Sequence, residues 1–565
     1  MTQNYDEIIK TAEFFLNNGS YVIAINTLDK IQEADKSILT KKFNLLSDIV
    51  TSCRKAKDYQ ASLRCFLEME KIAPDNEKVL LSIALTYEQL QKEDIAFSYY
   101  EKILSINKRN YDALIHIAIL LIYRGDLKNV LSYIEKAKRA KPNQYKTAYA
   151  YYKFYEKETR FKEAMRYAKE MLSLKPDNAN NYYYCADCSY NIFDYEKSIE
   201  YCDKYLSINP DNPDIIALKI LCMKKTGKID DITPLFEKLI SDYPESYTAE
   251  KLYLMDILLN KDYEKAMKYY LEVVSCKKLN ENVRVCEKKY LEYEQKAWRR
   301  EDLQNKTLLV YQGPFGFGDY LMFSRYIPIL EKKAGKVLVE TGKNFFNLFK
   351  NNFHNSKVIL DSPMGINSQD YDYSVSSMEL LYSMNMNFDN IPNSKGWLNI
   401  SENKINKVKE TDLFNTKKRK IGLFWRGGGG LMKYRNMEIE KLVPLFELEN
   451  CQFYSLDIEE KDKKILDIFE KYNIIDCSKY IDDAEDTGAV LKNLDIFISV
   501  DSFPLHLSGA LSVKTFLVLP VLTEWRWFKD TETTLWYDSV KIFRQTEQEN
   551  LEVIISRIKN ELEVL

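Results

Sequence analysis

Small and apolar positions recur at a fixed interval in the first half of the chain. The segment ends KIAPDN, SINKRN, RAKPNQ, SLKPDN, SINPDN and SDYPES place Pro74, Lys108, Pro142, Pro176, Pro210 and Pro244 at intervals of 34 residues. Two columns of small residues share this interval: Ala84, Ala118 and Ala186 in one, and Ser62, Ala96, Ala164, Ser198 and Ala266 in the other. Small residues at a constant period mark close helix contacts, so the pattern predicts a chain of paired helices.

The interval is that of the tetratricopeptide repeat, in which each unit is a pair of antiparallel helices. Six phased units, with less regular helical segments at about 1–55 and 250–300, predict an α solenoid over residues 1–300. Each unit of such an array contacts only its neighbours, so the array offers a concave binding surface rather than a deep catalytic pocket. We therefore expect this half to bind a protein or a peptide.

After residue 305, short runs of β-favouring residues alternate with segments of helical length. The first group comprises TLLVYQ (307–312), KVLVET (336–341), KVILDS (357–362) and DYSVS (372–376). After the polar stretch 401–420, a second group comprises KIGLFW (420–425), CQFYSLD (451–457), DIFISVD (495–501) and KTFLVLP (514–520). Strands that alternate with helices predict a parallel sheet. We expect two doubly wound sheets, at 305–400 and 417–565, with a ligand in the cleft at their carboxyl ends.

Composition narrows the function classes. The formal net charge of -3 gives no basic field, so nucleic acid is not expected as a partner. No run of about 18 apolar residues occurs, and the N-terminus MTQNYDEIIKTAEFF lacks the order of a signal peptide. We therefore expect a cytoplasmic protein without a membrane span. The ten cysteines are scattered and the three histidines, His116, His354 and His506, are far apart, so no metal site is expected.

A glycine-rich turn follows the first β-favouring run. GPFGFGDYLMFSRY (313–326) has the form of a strand-to-helix turn that receives a phosphate, yet Asp319 directly follows the last glycine, Gly318. A carboxylate would repel an anion there. We expect Asp319 to face an acceptor across the cleft, with the anion on the opposite wall. The alternative is that Asp319 only caps the helix that begins near Tyr320.

The opposite wall is predicted by DIFISVDSFPLHLSGAL, which runs from a strand into Asp501 and Ser502. Pro504 lies where the first turn of a helix starts. Ser502 is expected to cap that helix. We expect His506 to face outward from the sheet edge, where its imidazole can donate a hydrogen bond to a phosphate oxygen.

A second glycine-rich segment, FWRGGGGLMKYRN (424–436), contains four consecutive glycines from Gly427 onward. Glycines allow a ligand to approach the backbone closely, and Arg426, Lys433 and Arg435 supply local positive charge. A flexible loop without a ligand is the alternative. In EWRW (524–527), the rings beside Arg526 predict either a stacking wall for a base, with Trp525 as its first member, or a buried pair that closes the domain.

These residues carry a resemblance to a known family. GFGDYLMFSRYIPIL is similar to the turn of heptosyltransferase-like glycosyltransferases of the GT-B fold, and ISVDSFPLHLSGAL…VLP…EWRW…LWYDSVKIFRQ resembles the second half of tetratricopeptide-linked members. The resemblance covers about residues 305–545. It implies two Rossmann-like domains, a nucleotide-sugar donor held mainly by the second, and a catalytic base at Asp319. It implies donor-phosphate contacts at Ser502 and His506, and we add as donor-binding residues Gly318, Arg426, Gly427, Arg435, Asp501 and Trp525.

A solenoid fused to such a transferase resembles protein O-glycosyltransferases, including the bacterial enzymes that modify flagellin. The resemblance implies transfer of a sugar, for example a nonulosonic acid such as pseudaminic or legionaminic acid, to Ser or Thr of flagellin or another surface protein that the repeats recruit. We expect direct displacement without a metal, and no cofactor besides the nucleotide-sugar co-substrate. The alternatives are a glycosyltransferase for lipopolysaccharide or another glycan, and a non-catalytic repeat scaffold with a degenerate transferase domain.

Overall fold

The computed structural model of the 565-residue chain describes most of its length. The described residues are 5–32, 34–244, 246–259, 262–269, 288–313, 316–362, 365–385, 391–427, 435–521, 524–528, 531–546 and 550–565. They divide into two compact units, Met1–Asp211 and Asn212–Leu565.

The first unit consists of α-helices joined in pairs by short turns. Its helices are α1 Tyr5–Asn17, α2 Tyr21–Leu28, α3 Lys36–Lys55, α4 Tyr59–Ile72, α5 Glu77–Gln89, α6 Glu93–Ile106, α7 Tyr111–Arg124, α8 Val130–Ala140, α9 Tyr145–Lys157, α10 Phe161–Leu174, α11 Ala179–Asn191 and α12 Tyr195–Ile208. Pro74, Lys108, Pro142 and Pro176 fall in the turns between successive pairs. The predicted chain of paired helices is therefore confirmed in this unit.

The same interval governs how the helices begin and pack. Asn76, Asn110 and Asn178 each accept a hydrogen bond from a backbone N–H in the first turn of the helix that follows. A cap of this kind stabilises a helix by about 1 kcal/mol. The small residues at the predicted helix contacts are buried: Ser62, Ala84, Ala96, Ala118, Ala164, Ala186 and Ser198. A repeated cap and a repeated small residue thus give each pair the same local fold.

The second unit combines helices with parallel sheets. Its helices are α13 Pro213–Lys225, α14 Thr233–Asp242, α15 Tyr247–Leu259, α16 Tyr263–Tyr269, α17 Lys288–Glu294, α18 Phe317–Phe323, α19 Ile327–Lys333, α20 Lys343–Lys350, α21 Leu380–Ser383, α22 Glu402–Lys409, α23 Val443–Phe446, α24 Lys463–Tyr472, α25 Ala484–Leu491, α26 Phe503–Ala510 and α27 Leu551–Val564. Its strands are β1 Thr307–Tyr311, β2 Lys336–Thr341, β3 Ser356–Leu360, β4 Tyr373–Ser376, β5 Arg419–Phe424, β6 Cys451–Ser455, β7 Ile475–Asp476, β8 Ile496–Val500, β9 Thr515–Leu519 and β10 Val540–Arg544.

The strands form two sheets, and the named strands pair in parallel within each. The smaller sheet has the order β3-β2-β1-β4, and the larger has the order β10-β9-β8-β5-β6-β7. The order of the larger sheet reverses between β5 and β8, which is the place where doubly wound sheets bind ligands at their carboxyl ends. The eight predicted strands are present. The sequence analysis missed β7, which is only two residues long, and β10, an edge strand that carries charged residues.

Helices α13 to α16 continue the repeat pattern but belong to the second unit. Pro210 and Pro244 precede α13 and α15, as the 34-residue interval predicts. Phe236 and Tyr253 lie in one apolar cluster with residues from the helices that cover both sheets. The sequence pattern therefore changes from repeats to alternating strands and helices near residue 305. The boundary between the two compact units lies earlier, at residue 212.

Two helices bring the edges of the two sheets together. Helix α18 follows β1 of the smaller sheet, α26 follows β8 of the larger sheet, and the two helices pack against each other. Their apolar side chains, among them Tyr320 and Leu505, are buried in the same cluster. Since each helix begins at the carboxyl end of its strand, the polar residues in their first turns lie close together.

Candidate active site

A network of charged side chains occupies the junction of α18 and α26. Arg526, in the short turn Trp525–Trp527, lies between two carboxylates: its Nη2 is 2.5 Å from Oδ1 of Asp319, and its Nη1 is 3.1 Å from Oδ2 of Asp501. Arg435 extends the network, with Nη1 3.3 Å from Oδ2 of Asp501 and Nη2 2.5 Å from Oε1 of Glu524. The network joins the first helix of the smaller sheet to three segments of the larger sheet.

The central ion pairs of the network are buried. Arg526 is only 6% exposed and Asp501 only 3% exposed. Burial alone would raise the pKa of Asp501, but the charge of Arg526, the hydrogen bond from His506 and the charge of Arg435 outweigh it and hold that pKa well below its ordinary range. The lowered pKa favours the ionised form of Asp501, which lies between the two guanidinium groups.

His506 is a buried member of the network, so the prediction that it faces outward is wrong. It is 2% exposed, its Nδ1 is 2.7 Å from the hydroxyl of Tyr537, and its Nε2 is 3.5 Å from Oδ1 of Asp501. Burial lowers the pKa of His506 and thereby favours the neutral ring. Since an ionised carboxylate only accepts, Nε2 carries the proton and Nδ1 accepts from the Tyr537 hydroxyl. The contact of His506 with the phosphate of a nucleotide-sugar stays a prediction.

Gly318 explains how the imidazole fits. A Cβ atom at position 318 would lie 2.6 Å from Cδ2 of His506, a distance that side chains do not tolerate. The absence of a side chain thus lets α18 approach α26 closely enough for Asp319 to reach Arg526. The observed contact of Gly318 is with an imidazole, and its predicted part in donor binding remains a prediction.

Ser502 has the capping position that the sequence predicts. Its Oγ accepts a hydrogen bond from the backbone N–H of Leu505 at 3.4 Å and lies 3.0 Å from Oγ of Ser499. The prediction that Ser502 starts this helix is confirmed. Because the cap uses the hydroxyl oxygen as an acceptor, the hydroxyl hydrogen can still be donated to a phosphate.

Arg426 and Gly427 follow β5, on the other side of the strand reversal. The Nε atom of Arg426 is 3.1 Å from Oδ2 of Asp457, and its Nη1 contacts Glu459. The backbone N–H of Gly427 donates to Oδ1 of Asn436 at 2.5 Å. The rest of this glycine-rich segment, with Lys433, lies outside the described residues. Arg426 and Arg435 therefore have different carboxylate partners, although they flank one segment.

The tryptophans around Arg526 agree with the second of the two alternatives. Trp525 and Trp527 are both buried, Trp525 lies edge-on to Trp536 with ring centroids 6.0 Å apart, and Trp527 stacks on His506 at 5.5 Å. The two rings close the domain around the charged network. A base-stacking role of Trp525 would need this packing to open.

The sequence analysis missed three members of the network. It treated Arg526 only as part of an aromatic wall, and it did not single out Tyr537 or treat Glu524 as a partner of Arg435. Arg526 and Asp319 are 207 positions apart, so no local pattern could have paired them. A usable signal was the arginine between two tryptophans, because an arginine among large apolar residues needs a buried carboxylate.

A cavity of about 290 Å³ lies next to the network in the larger sheet. It is bordered by the segment from Arg435 to Glu438, by the end of β9 at Val518, Leu519 and Pro520, and by the start of α27. Arg435 therefore contacts both Asp501 and the cavity. Among the described residues, no group of three His, Cys, Asp or Glu side chains has a geometry that could hold a metal ion.

Comparison with known proteins gives matches to the repeats. The Tetratricopeptide repeat family model matches residues 77–110 and 180–212. Solved structures similar to the chain include PilF of Pseudomonas aeruginosa (15% identity, 38% of this chain and 98% of that chain covered, TM-score 0.34) and PilW, a type IV pilus biogenesis factor (19%, 39% and 100%, TM-score 0.34). A tetratricopeptide repeat protein of Parabacteroides merdae is also similar (17%, 44% and 97%, TM-score 0.32). No curated protein matches the chain. The chain thus contains tetratricopeptide repeats, and within the described residues no helix has the length and apolar content to cross a bilayer.

Proposed function

We propose that the second unit is a metal-independent glycosyltransferase of the GT-B type and that the repeats recruit its protein acceptor. The observation that carries the proposal is the junction at which Arg526 joins Asp319 from the smaller sheet to Asp501 from the larger sheet. Transfer from a nucleotide-sugar needs a proton acceptor and cations for the leaving phosphate at one place. The acceptor class is the Ser or Thr hydroxyl of flagellin or another surface protein, and a nonulosonic acid is one candidate sugar.

The surroundings of Arg526 and Arg435 suit the binding of a phosphate. The Nε of Arg526 is buried and has no hydrogen-bond acceptor among the described residues. A buried N–H without an acceptor is unfavourable unless a ligand oxygen satisfies it. The cavity beside Arg435, about 290 Å³, lies just below the roughly 300–1,000 Å³ of small-molecule sites. These features support a nucleoside in the cavity with its phosphates at Arg435 and Arg526.

The ion pair between Asp319 and Arg526 suggests how the chemistry is coupled to donor binding. The Asp319 carboxylate and a donor phosphate compete for the same guanidinium group. A phosphate that binds Arg526 releases Asp319, which can then take the proton of the acceptor hydroxyl as its oxygen attacks the anomeric carbon. The bond to the phosphate oxygen breaks, and Arg526 and Arg435 stabilise the charge on the leaving group. In this scheme His506 positions Asp501 through Nε2–H and does not touch the phosphate.

The non-catalytic scaffold remains the second candidate, because the same ion pairs also suit it. Asp319, Asp501 and Glu524 each pair with an arginine, and such a network can serve stability alone. The scaffold and the transferase differ in whether the second unit binds a nucleotide. A transferase for lipopolysaccharide or another glycan would bind the nucleotide too and would differ only in the acceptor.

The first test is nucleotide binding by the full-length chain. Calorimetric titration with UDP, GDP, ADP and CMP should detect at least one ligand, and Arg435→Ala should weaken it by about 10- to 100-fold through loss of a charged hydrogen bond. Arg557→Ala is the matched control, since Arg557 forms an exposed ion pair with Glu532, does not line the cavity and should leave affinity unchanged. Failure of all four nucleotides to bind would favour the scaffold.

The second test distinguishes two roles of Asp319, a general base and a helix cap. Asp319→Asn should lower turnover of the bound nucleotide-sugar by a factor of about 10² to 10⁴, the usual loss of a general base. Nucleotide affinity should stay the same or rise, since asparagine competes less strongly for Arg526. The intact mass of flagellin expressed with the wild-type chain, compared with the variant, reports transfer to protein. Normal transfer by a folded Asp319→Asn protein would refute the base.

A further inference from the structure

A separate cavity lies at the carboxyl edge of the smaller sheet. Its volume is about 200 Å³, and it is lined by Gln312, Phe317, Glu340, Thr341, Gly342 and Asp361. These residues follow or end β1, β2 and β3, which is where parallel sheets bind ligands. Within the described part of the chain, no lysine or arginine lines it, and it shares no lining residue with the cavity beside Arg435. Its volume is below the roughly 300–1,000 Å³ of sites for drug-sized molecules, so it suits a ligand of one ring.

An exposed aromatic ring forms one wall. Phe317 is 48% exposed, although it begins a helix whose next apolar residues are buried. Its ring packs against Phe345 with centroids 5.2 Å apart, which fixes its orientation from one side. A held, half-exposed ring offers an apolar surface to a flat or weakly polar ligand face.

Thr341, a buried residue whose hydroxyl has no partner among the described residues, lines the same cavity. Thr341 is 1% exposed, and its Oγ1 has no hydrogen-bond partner among the described residues. Buried hydroxyl groups are nearly always hydrogen-bonded, because an unsatisfied one is unfavourable. This hydroxyl therefore points to a ligand that can both donate and accept hydrogen bonds.

The carboxylates of the cavity are already compensated. The ammonium group of Lys289, behind the lining, contacts Asp361 and lies 4.0 Å from Oε1 of Glu340, which also accepts a hydrogen bond from the Tyr293 hydroxyl at 2.9 Å. Burial raises the pKa of Glu340 to about 7, so this side chain is partly neutral at physiological pH. Among the described lining residues a phosphate finds no cation, and an ammonium group finds one carboxylate paired with Lys289 and one that is partly neutral.

We propose that this cavity binds a neutral polyhydroxylated ring, either a monosaccharide or one sugar unit of a larger ligand. The apolar face of the ring lies on Phe317, and its hydroxyl groups hydrogen-bond to Thr341 and Asp361. Glu340, with both proton states accessible, can accept from or donate to a further hydroxyl. The inference is independent of the proposed function, which assigns the nucleotide to the other sheet and a protein hydroxyl to the acceptor position.

Saturation-transfer NMR on the full-length chain tests the inference. Glucose, galactose and N-acetylglucosamine are the neutral probes, glucose 6-phosphate is the anionic probe and ethanolamine is the cationic probe. At least one neutral sugar should receive saturation at millimolar concentration, whereas the two charged probes should not compete with it. If no neutral sugar receives saturation, or if ethanolamine displaces the sugar, the inference is overturned.

Two variants test whether the sugar that receives saturation binds in this cavity. Phe317→Ala should weaken sugar binding by about tenfold or more, as for other aromatic anchors. Thr341→Val keeps the shape and removes only the unpartnered hydroxyl, so it should weaken binding by about threefold without lowering stability. Phe14→Ala, at an exposed phenylalanine of the first unit, is the control and should have no effect. Sugar binding that survives both cavity variants would also overturn the inference.

The outcome can be distinguished from that of the proposed function. Sugar binding without nucleotide binding would support the inference and refute the transferase. Nucleotide binding that depends on Arg435, without sugar binding, would support the transferase and refute the inference.

Discussion

The carboxyl edges of the two sheets have the same topology and opposite chemistry. At the edge of the larger sheet, the buried guanidinium groups of Arg435 and Arg526 surround Asp501. At the edge of the smaller sheet, the cavity has carboxylates and an exposed ring, and the nearby ammonium group lies behind its lining. Parallel strands that run into helices determine where a ligand can bind. The side chains at those strand ends determine its charge, so the two proposals assign an anion to one sheet and a neutral molecule to the other.

The largest effect is expected from a change that leaves the cations of the larger sheet without their central carboxylate. Asp501→Asn should lower the free energy of unfolding of the second unit by about 3–5 kcal/mol, the usual cost of breaking a buried ion pair. Urea denaturation followed by tryptophan fluorescence isolates this unit, since all six tryptophans lie between residues 298 and 536.

Glu532→Gln is the matched control for Asp501→Asn. Glu532 forms an exposed ion pair with Arg557 at 3.4 Å, so its loss should change stability by less than about 1 kcal/mol. Equal effects of the two variants would mean that the network of the larger sheet is no stronger than a surface pair, and the contrast between the two edges would fail.

The two edges should also respond to pH in opposite directions. The pKa of Glu340 rises from 4.5 to about 7 on folding because of burial, so between these values the folded state holds a proton that the unfolded state has released. The stability from this group is full below pH 4.5 and is lost as the pH rises through 7. Asp501 has a lowered pKa, and its contribution is lost only as the pH falls through that value in acid.

Glu340→Gln should therefore make the decrease in unfolding free energy between pH 5 and pH 8 shallower by about 1–3 kcal/mol. A residual slope is expected, because burial and the charge of Glu379 also raise the pKa of Glu294 to about 7. Urea titrations at several pH values, again by tryptophan fluorescence, measure the difference. A variant whose slope equals that of the wild type would show that Glu340 ionises normally.

The smallest effect concerns how helices start at the two edges. Helix α26 of the larger sheet has the side-chain cap of Ser502, whereas α20 of the smaller sheet begins after Gly342 without one. Ser502→Ala should lower the unfolding free energy by about 1 kcal/mol, the usual contribution of an N-cap. A change below about 0.3 kcal/mol would assign the hydroxyl to something other than the cap, and its predicted phosphate contact would gain weight.

The sequence predicts the elements of this protein better than the contacts between them. The repeats, the two sheets and the cap at Ser502 follow from periods and local preferences, which act over a few residues. The position of His506 depends on Gly318, and the partner of Asp319 is an arginine 207 positions away. Such contacts arise only when two helices from different sheets pack together, and no local period contains that information. The strand β10 was missed for a related reason, because its charged residues are accommodated by an edge position.

The shared core of the last repeats and the sheets bears on how such chains arise by recombination. A crossover at residue 305 would separate the α/β half from Phe236 and Tyr253, which belong to its core cluster, and from α15, which packs against the turn that holds Arg526. The inherited segment would expose apolar surface and lose support beneath its charged network. The segment that keeps this core intact through such an exchange begins at residue 212 and carries helix pairs of its own.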